Sequence, residues 1–229
     1  MGVGLPRRWA SLWRHHPSAL LLAAQLLSLV LYPLMDDTHS GRVLYGAVAL
    51  VVVPLAVWVV SRSPSLNWIA WLLALPALAL SVLAIVLDLP WLITTASMLE
   101  SALYFYAAGS LISYMLHDHS VTADELFAAG ATFTLLAWGF AYAFFACQAW
   151  YPGSFAGAVD PERPRSWIEL LFLSMSTLSS VGNGDIVPLG SQARVLVMFE
   201  QMAGVGYIAT VVSRLIGLTI VRHERAAGD

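Results

Sequence analysis

The stretch Thr177–Asp185 reads TLSSVGNGD and lies between two apolar runs, WIELLFLSMS before it and RVLVMFEQMAGVGYIATVV after it. Two glycines around an asparagine, followed by an aspartate, make an ordinary turn in a water-soluble protein. The reading therefore depends on the solvent around the chain. Of the 229 residues, 59% are hydrophobic and only 11% are charged, whereas soluble domains carry about 25% charged residues. Several runs reach the roughly 18 to 20 apolar residues that cross about 30 Å of hydrocarbon. The chain is expected to be an integral membrane protein. A net charge of −3 leaves no basic stripe to neutralise phosphates, which excludes nucleic acid as a partner. Cys147 is the single cysteine, so an internal disulfide and a cysteine-only zinc site are excluded as well; it reads as a small apolar helix residue.

Six spans are expected near Ser18–Met35, Val43–Ser61, Asn67–Leu87, Trp91–Met115, Ala123–Gln148 and Ser191–Val221, separated by short polar or breaker-rich links. The fold class is thus an all-α polytopic membrane protein. The arginines before the first run mimic a signal peptide, but the run continues to Met35 without a small-residue cleavage pattern and reads as a retained helix. All eleven basic residues are arginines. Six crossings put Arg7, Arg8, Arg14, Arg62, Arg214, Arg222 and Arg225 on one face, against Arg42, Arg163, Arg165 and Arg194 on the other. The richer side is expected to be cytoplasmic, with both termini there and the protein multi-pass in the cell membrane.

Between the last two spans lies a shorter apolar piece, Trp167–Leu178. Twelve helical residues reach only about 18 Å, too little to cross. Its start is marked by a capping box, Ser166 with Glu169; Thr122 with Glu125 makes a second one at the head of the fifth span. A helix that enters halfway and gives way to extended backbone is re-entrant. Non-helical backbone at that depth needs protein or a water-filled path to satisfy its polar groups. Gly182 and Gly184 allow left-handed backbone at alternate positions, so that successive carbonyls can point one way and replace an ion's hydration shell. The half-helix aims its partly negative C-terminal end at the same place. Asp185 is expected at the outer mouth.

TLSSVGNGDIVP resembles the potassium-channel signature T-x-T-T-V-G-Y-G-D-x-x-P, and the resemblance extends over roughly Ala123–Val221. It implies an outer helix, a pore helix over 167–178, an extended selectivity filter over 179–185 and an inner helix over 191–221. Residues 1–17 are then a cytoplasmic segment, 18–116 a four-helix transmembrane domain and 117–229 the pore domain. By the resemblance, the ion-binding filter residues are Ser180, Val181, Gly182, Asn183 and Gly184, with carbonyls from Ser180 to Asn183 and the Ser180 hydroxyl at the inner end. Phe172, Leu173, Ser176 and Thr177 would support the filter, and Gly204 stands where the family often has a hinge glycine. One pore loop per chain implies a homotetramer in the bilayer, conducting potassium ions with no cofactor and no fixed structural metal. Two positions depart from the pattern. Ser180 keeps the hydroxyl of the family's threonine but loses its methyl, and Asn183 replaces the aromatic residue that braces the filter. A filter passing both sodium and potassium is therefore the competing reading.

Four helices before a two-helix pore resemble the voltage-gated layout, yet the fourth run holds no arginine and no lysine; weak voltage dependence is expected. Glu100 in that run is either a functional intramembrane group or a hydrogen-bonded brace near Tyr104 and Thr95. Glu200 either tunes the filter from behind or bonds to the pore helix, the second being favoured. Gly204, with Gly206 nearby, serves either bending or close packing. His117 and His119 do not share a helix face and read as part of a polar loop. Trp68, Trp71, Trp91, Trp150 and Trp167 read as an interfacial belt. A transporter would need a second broken helix, and an enzyme would need a polar constellation that the sequence does not offer. A non-conducting subunit with a pore fold remains a further class.

Overall fold

A computed structural model of the chain describes residues 17–31, 52–61, 66–87, 89–117, 122–214 and 216–217. Expectations for 1–16, for the first link and most of the second span's start, and for the inner helix from residue 218 onward lie outside the described residues. The described helices are α1 (Pro17–Leu31), α2 (52–60), α3 (Asn67–Leu87), α4 (Pro90–His117), α5 (Ala123–Trp150), α6 (Trp167–Leu178) and α7 (Ser191–Tyr207), the last continuing as a π-helix over Ile208–Val212. Two three-residue strands, β1 (Phe155–Gly157) and β2 (Ile186–Pro188), pair antiparallel with Ala156 opposite Val187.

Among the described residues, three helical stretches are long and apolar enough to cross a bilayer: Asn67–Ala84, Ala123–Trp150 and Ser191–Val212. The expected count of six is thus met in part. Helix α4 has 28 residues, about 42 Å of rise, but is less apolar because Ser97, Glu100, Ser101 and Ser110 lie on its buried side. Helix α1 has 15 described residues, and the part of the expected first span from residue 32 to 35 lies outside the described residues.

Helix α5 is the hub. Its start follows the Thr122–Glu125 capping box, with both reciprocal bonds made; such a cap contributes about 1 kcal/mol. Its first turn also holds α1: Asp124 accepts from the Ser18 amide at 3.1 Å and the Ser18 hydroxyl at 3.0 Å, a carboxylate at a helix N-terminus where the dipole favours it. Further along, Ser101 of α4 donates to the Gly139 carbonyl at 2.8 Å, and Phe105 lies against Gly139. Tyr104 stacks on Tyr142 and meets the edge of Trp138. On the opposite flank, Trp138 and Tyr142 both pack on Trp167 at the head of α6. Trp167, read from the sequence as interfacial, is therefore buried core, while Trp68, Trp71, Trp91 and Trp150 are exposed.

Candidate functional site

The half-helix α6 is set from its entry side. Ser166 and Glu169 cap each other, with the Ser166 amide donating to Glu169 Oε2 at 2.7 Å. Partial burial works against the charged form of Glu169. The Ser166 contacts and the Arg163 and Arg165 guanidiniums outweigh it and hold the carboxyl below its ordinary range. Arg165 itself is almost fully buried. Its guanidinium donates to the carbonyls of Val159, Asp160 and Arg163, and its backbone is clasped from both sides by the Gln148 amide. A buried guanidinium surrounded by carbonyls is the pairing that makes such burial tolerable. It fixes the 151–166 connection against the end of α5. Nothing in the sequence singled out Arg165 or Gln148, because their partners are backbone oxygens brought in by the fold.

At the other end of α6 the chain turns back on itself. Met175 O accepts from the Ser179 amide, and Thr177 O from the Ser180 amide. The Ser176 carbonyl accepts three times: from the amides of Val181 and Gly182, each at 3.1 Å, and from the Ser179 hydroxyl at 3.2 Å. The Ser176 hydroxyl reaches further and donates to the Asn183 carbonyl at 2.6 Å. Ser176 thus braces the loop by backbone and side chain together. The loop leaves through Asp185, whose carbonyl accepts from the Ala158 amide at 3.0 Å, into β2.

Two loop residues have left-handed backbone, Ser180 with φ 60° and Gly182 with φ 66°. The alternation expected at Gly182 and Gly184 is therefore present one step earlier, at 180 and 182. Only glycine adopts this angle without penalty, so Ser180 is held there by the surrounding bonds. Residues 180–185 are exposed on the single chain, Val181 at 70%. Phe172 stands behind the loop, with Cε1 3.6 Å from where a Cβ on Gly184 would lie. Thr177 is buried at the turn. Leu173, expected beside Phe172 as filter support, is buried in the core cluster.

The inner helix α7 lies against this structure. A Cβ on Gly204 would come within 2.0 Å of the Leu178 carbonyl, while one on Gly206 would meet nothing within 4 Å. Gly204 is thus a close-approach residue against the C-terminal end of α6. The departure from α-helical geometry falls below it, at Ile208–Val212. One turn above Gly204, Glu200 is fully buried, with Oε1 bonded to the Ser174 hydroxyl of α6; the pore-helix partner expected for it is present in its own chain.

A family model described as "Ion channel" matches residues 130–220. Over those residues the chain is similar to this ion-channel family. No curated protein and no solved structure matches the chain. The matched residues run from α5 past its first two turns through the capped half-helix, the loop and α7. Among the described residues, no cluster of three or more His, Cys, Asp or Glu could hold a metal ion.

Proposed function

We propose that the chain is one subunit of a homotetrameric, potassium-conducting channel in which residues 180–184 line the central path. Carbonyls of Ser180, Val181 and Gly182 stand in for the water around a dehydrated cation, and Asp185 concentrates cations at the outer mouth. The observation that carries the reading is the loop itself: left-handed backbone at alternate residues, at the end of a half-helix, exposed on the single chain. Exposed backbone at membrane depth needs a polar neighbour, and a ring of four such loops around ions supplies one. The exposed apolar face of α7, including Val195, Met198, Phe199 and Met202, supplies surface for assembly and for the walls of the cavity below. We place the termini in the cytoplasm on the arginine distribution.

A second reading, permeation by both sodium and potassium, draws on one observation. The Asn183 carbonyl is engaged by Ser176, and an amide side chain stands where the family carries a bracing ring. Purified protein in liposomes tests both, with potassium and sodium flux measured for wild type and Asn183→Tyr. Potassium flux well above sodium flux supports the first reading. Equal fluxes that separate in Asn183→Tyr support the second. No flux of either ion, in a protein that native mass spectrometry shows to be a tetramer, points to a non-conducting subunit and sinks both.

A further inference from the structure

Behind the loop, three elements meet at one hydroxyl. Ser174 Oγ of α6 lies 2.8 Å from the Ala137 carbonyl of α5 and within bonding distance of Glu200 Oε1 of α7. All three side chains and the intervening atoms are buried, Ser174 and Glu200 at 0% exposure. A hydroxyl carries one proton. The Ala137 carbonyl can only accept, so if Ser174 donates to it, no proton is left on the hydroxyl for Glu200. An ionised carboxylate, which also only accepts, would then face a hydroxyl lone pair at contact distance. Both bonds are made together only when the carboxyl brings its own proton.

From this proton count we infer that Glu200 is a neutral carboxylic acid and a filter-positioning residue: it donates to Ser174, which donates to Ala137, and the relay clasps inner helix, half-helix and outer helix together. The surroundings agree. The second oxygen, Oε2, has no hydrogen-bond partner among the described residues. That is tolerable for an acid carbonyl and costly for half of a buried carboxylate. Among the described residues, no salt bridge to Glu200 is formed. On α5 the titratable groups are Asp124, bonded to Ser18, Glu125 in its capping box, Tyr142 beside Glu100, and Cys147. On α6 there is Glu169, tied to Ser166, Arg163 and Arg165. On α7 itself Arg194 donates to the Pro188 carbonyl and Tyr207 to the Ala129 carbonyl. The clasp lies one helical turn above the Gly204–Leu178 contact, and Ser174 is two residues before Ser176, which holds the loop. Movement of α7 is thereby tied to the element that carries the loop and, through the same hydroxyl, to α5, by a pair of bonds that is complete only in the protonated state.

The test separates the proton from the conduction reading on which the word filter rests. Difference infrared spectra of reconstituted wild type against Glu200→Gln, at neutral pH, read the proton whether or not the protein conducts. The expected result is a carboxylic acid C=O band present in wild type and missing in Glu200→Gln, shifted upward in Ser174→Ala as its acceptor is lost. Absence of the band in wild type, or no shift in Ser174→Ala, overturns the relay. The positioning role is read by the potassium-to-sodium flux ratio. Glu200→Gln, whose amide also donates, should stay within about twofold of wild type, and Glu200→Met, of similar length without a donor, should lose about tenfold. Equal losses in both, or none in Glu200→Met, overturn the positioning role. If Glu200→Met does not assemble, Glu200→Gln and the infrared arm still decide.

Discussion

The channel domain and the helices before it handle buried polar groups in opposite ways. From α5 onward the bonds that hold the irregular backbone stay within one stretch of chain, Gln148 to Arg165, Ser166 to Glu169, Ser176 to Val181, Gly182 and Asn183, while Ser174 and Tyr207 add bonds between helices. They are dense where the backbone leaves the helix, which is where lipid can satisfy nothing. Among the described residues before α5, few bonds join one element to another, as Ser18 to Asp124, Ser101 to Gly139 and Tyr106 to the Leu66 carbonyl, and the hydroxyls of Ser28, Thr95, Ser97 and Ser110 turn back on their own helices. The two deep carboxyls repeat the contrast. Glu100 lies between two hydroxyl donors, Ser81 at 2.8 Å and Tyr142, so it is satisfied as an acceptor. Glu200 meets a single hydroxyl that already serves a carbonyl. The lesson is that irregular backbone demands local partners, whereas packed helices need only a few pegs between faces.

The sharpest way to break this contrast is at Gly204. Substitution to alanine drives a Cβ into the Leu178 carbonyl, and overpacking of this kind costs about 1–3 kcal/mol per subunit. We expect Gly204→Ala to lose most tetramer on size exclusion and most flux, and Gly206→Ala to keep both. Equal tolerance of the two would return Gly204 to the role of a free hinge. Next in size is Ser176→Ala. Loss of the hydroxyl bond to Asn183, about 1 kcal/mol, should lower the potassium-to-sodium flux ratio severalfold with assembly intact; an unchanged ratio removes Ser176 from the bracing. On the other side of the comparison, α4 carries no arginine or lysine. Planar-bilayer recordings should therefore show a shallow conductance–voltage curve, since each gating charge is worth about 2.3 kcal/mol per 100 mV. Steep activation would mean that the front helices sense the field after all. The smallest effect belongs to Glu169. Its carboxyl is held below the ordinary range, so its support of the α6 entry is complete above the ordinary carboxylate value and is lost as pH falls through the lowered folded value. External acidification into that range should reduce flux modestly in wild type and leave Glu169→Gln, already lacking the charge, flat.

Much of this was legible in the sequence wherever the signal was local. Helix α6 begins and ends at Trp167 and Leu178 as read, because a capping box marks one end and a glycine-rich run the other. Helix α3 matches its expected bounds, Asn67–Leu87, for a similar reason: breakers flank an unbroken apolar run. What escaped was set by distant partners. Ser174 bonds across 37 residues to Ala137 and 26 to Glu200, and no spacing rule links such positions. Trp167 looked like a boundary residue until Trp138 and Tyr142 covered it. The left-handed angle at Ser180 belongs to no motif of single residues; three acceptances by one carbonyl hold the neighbouring backbone in place.

The π-helical turn at Ile208–Val212 changes how the C-terminal end of the helix begun by α7 must be counted. Each residue of an ordinary helix advances about 100° around the axis, and a wide turn inserts roughly one residue without adding that rotation. A helical wheel drawn straight through from Ser191 would therefore assign residues past Val212 to the wrong face. Cysteine scanning should show a periodic accessibility pattern that slips by one position at that point.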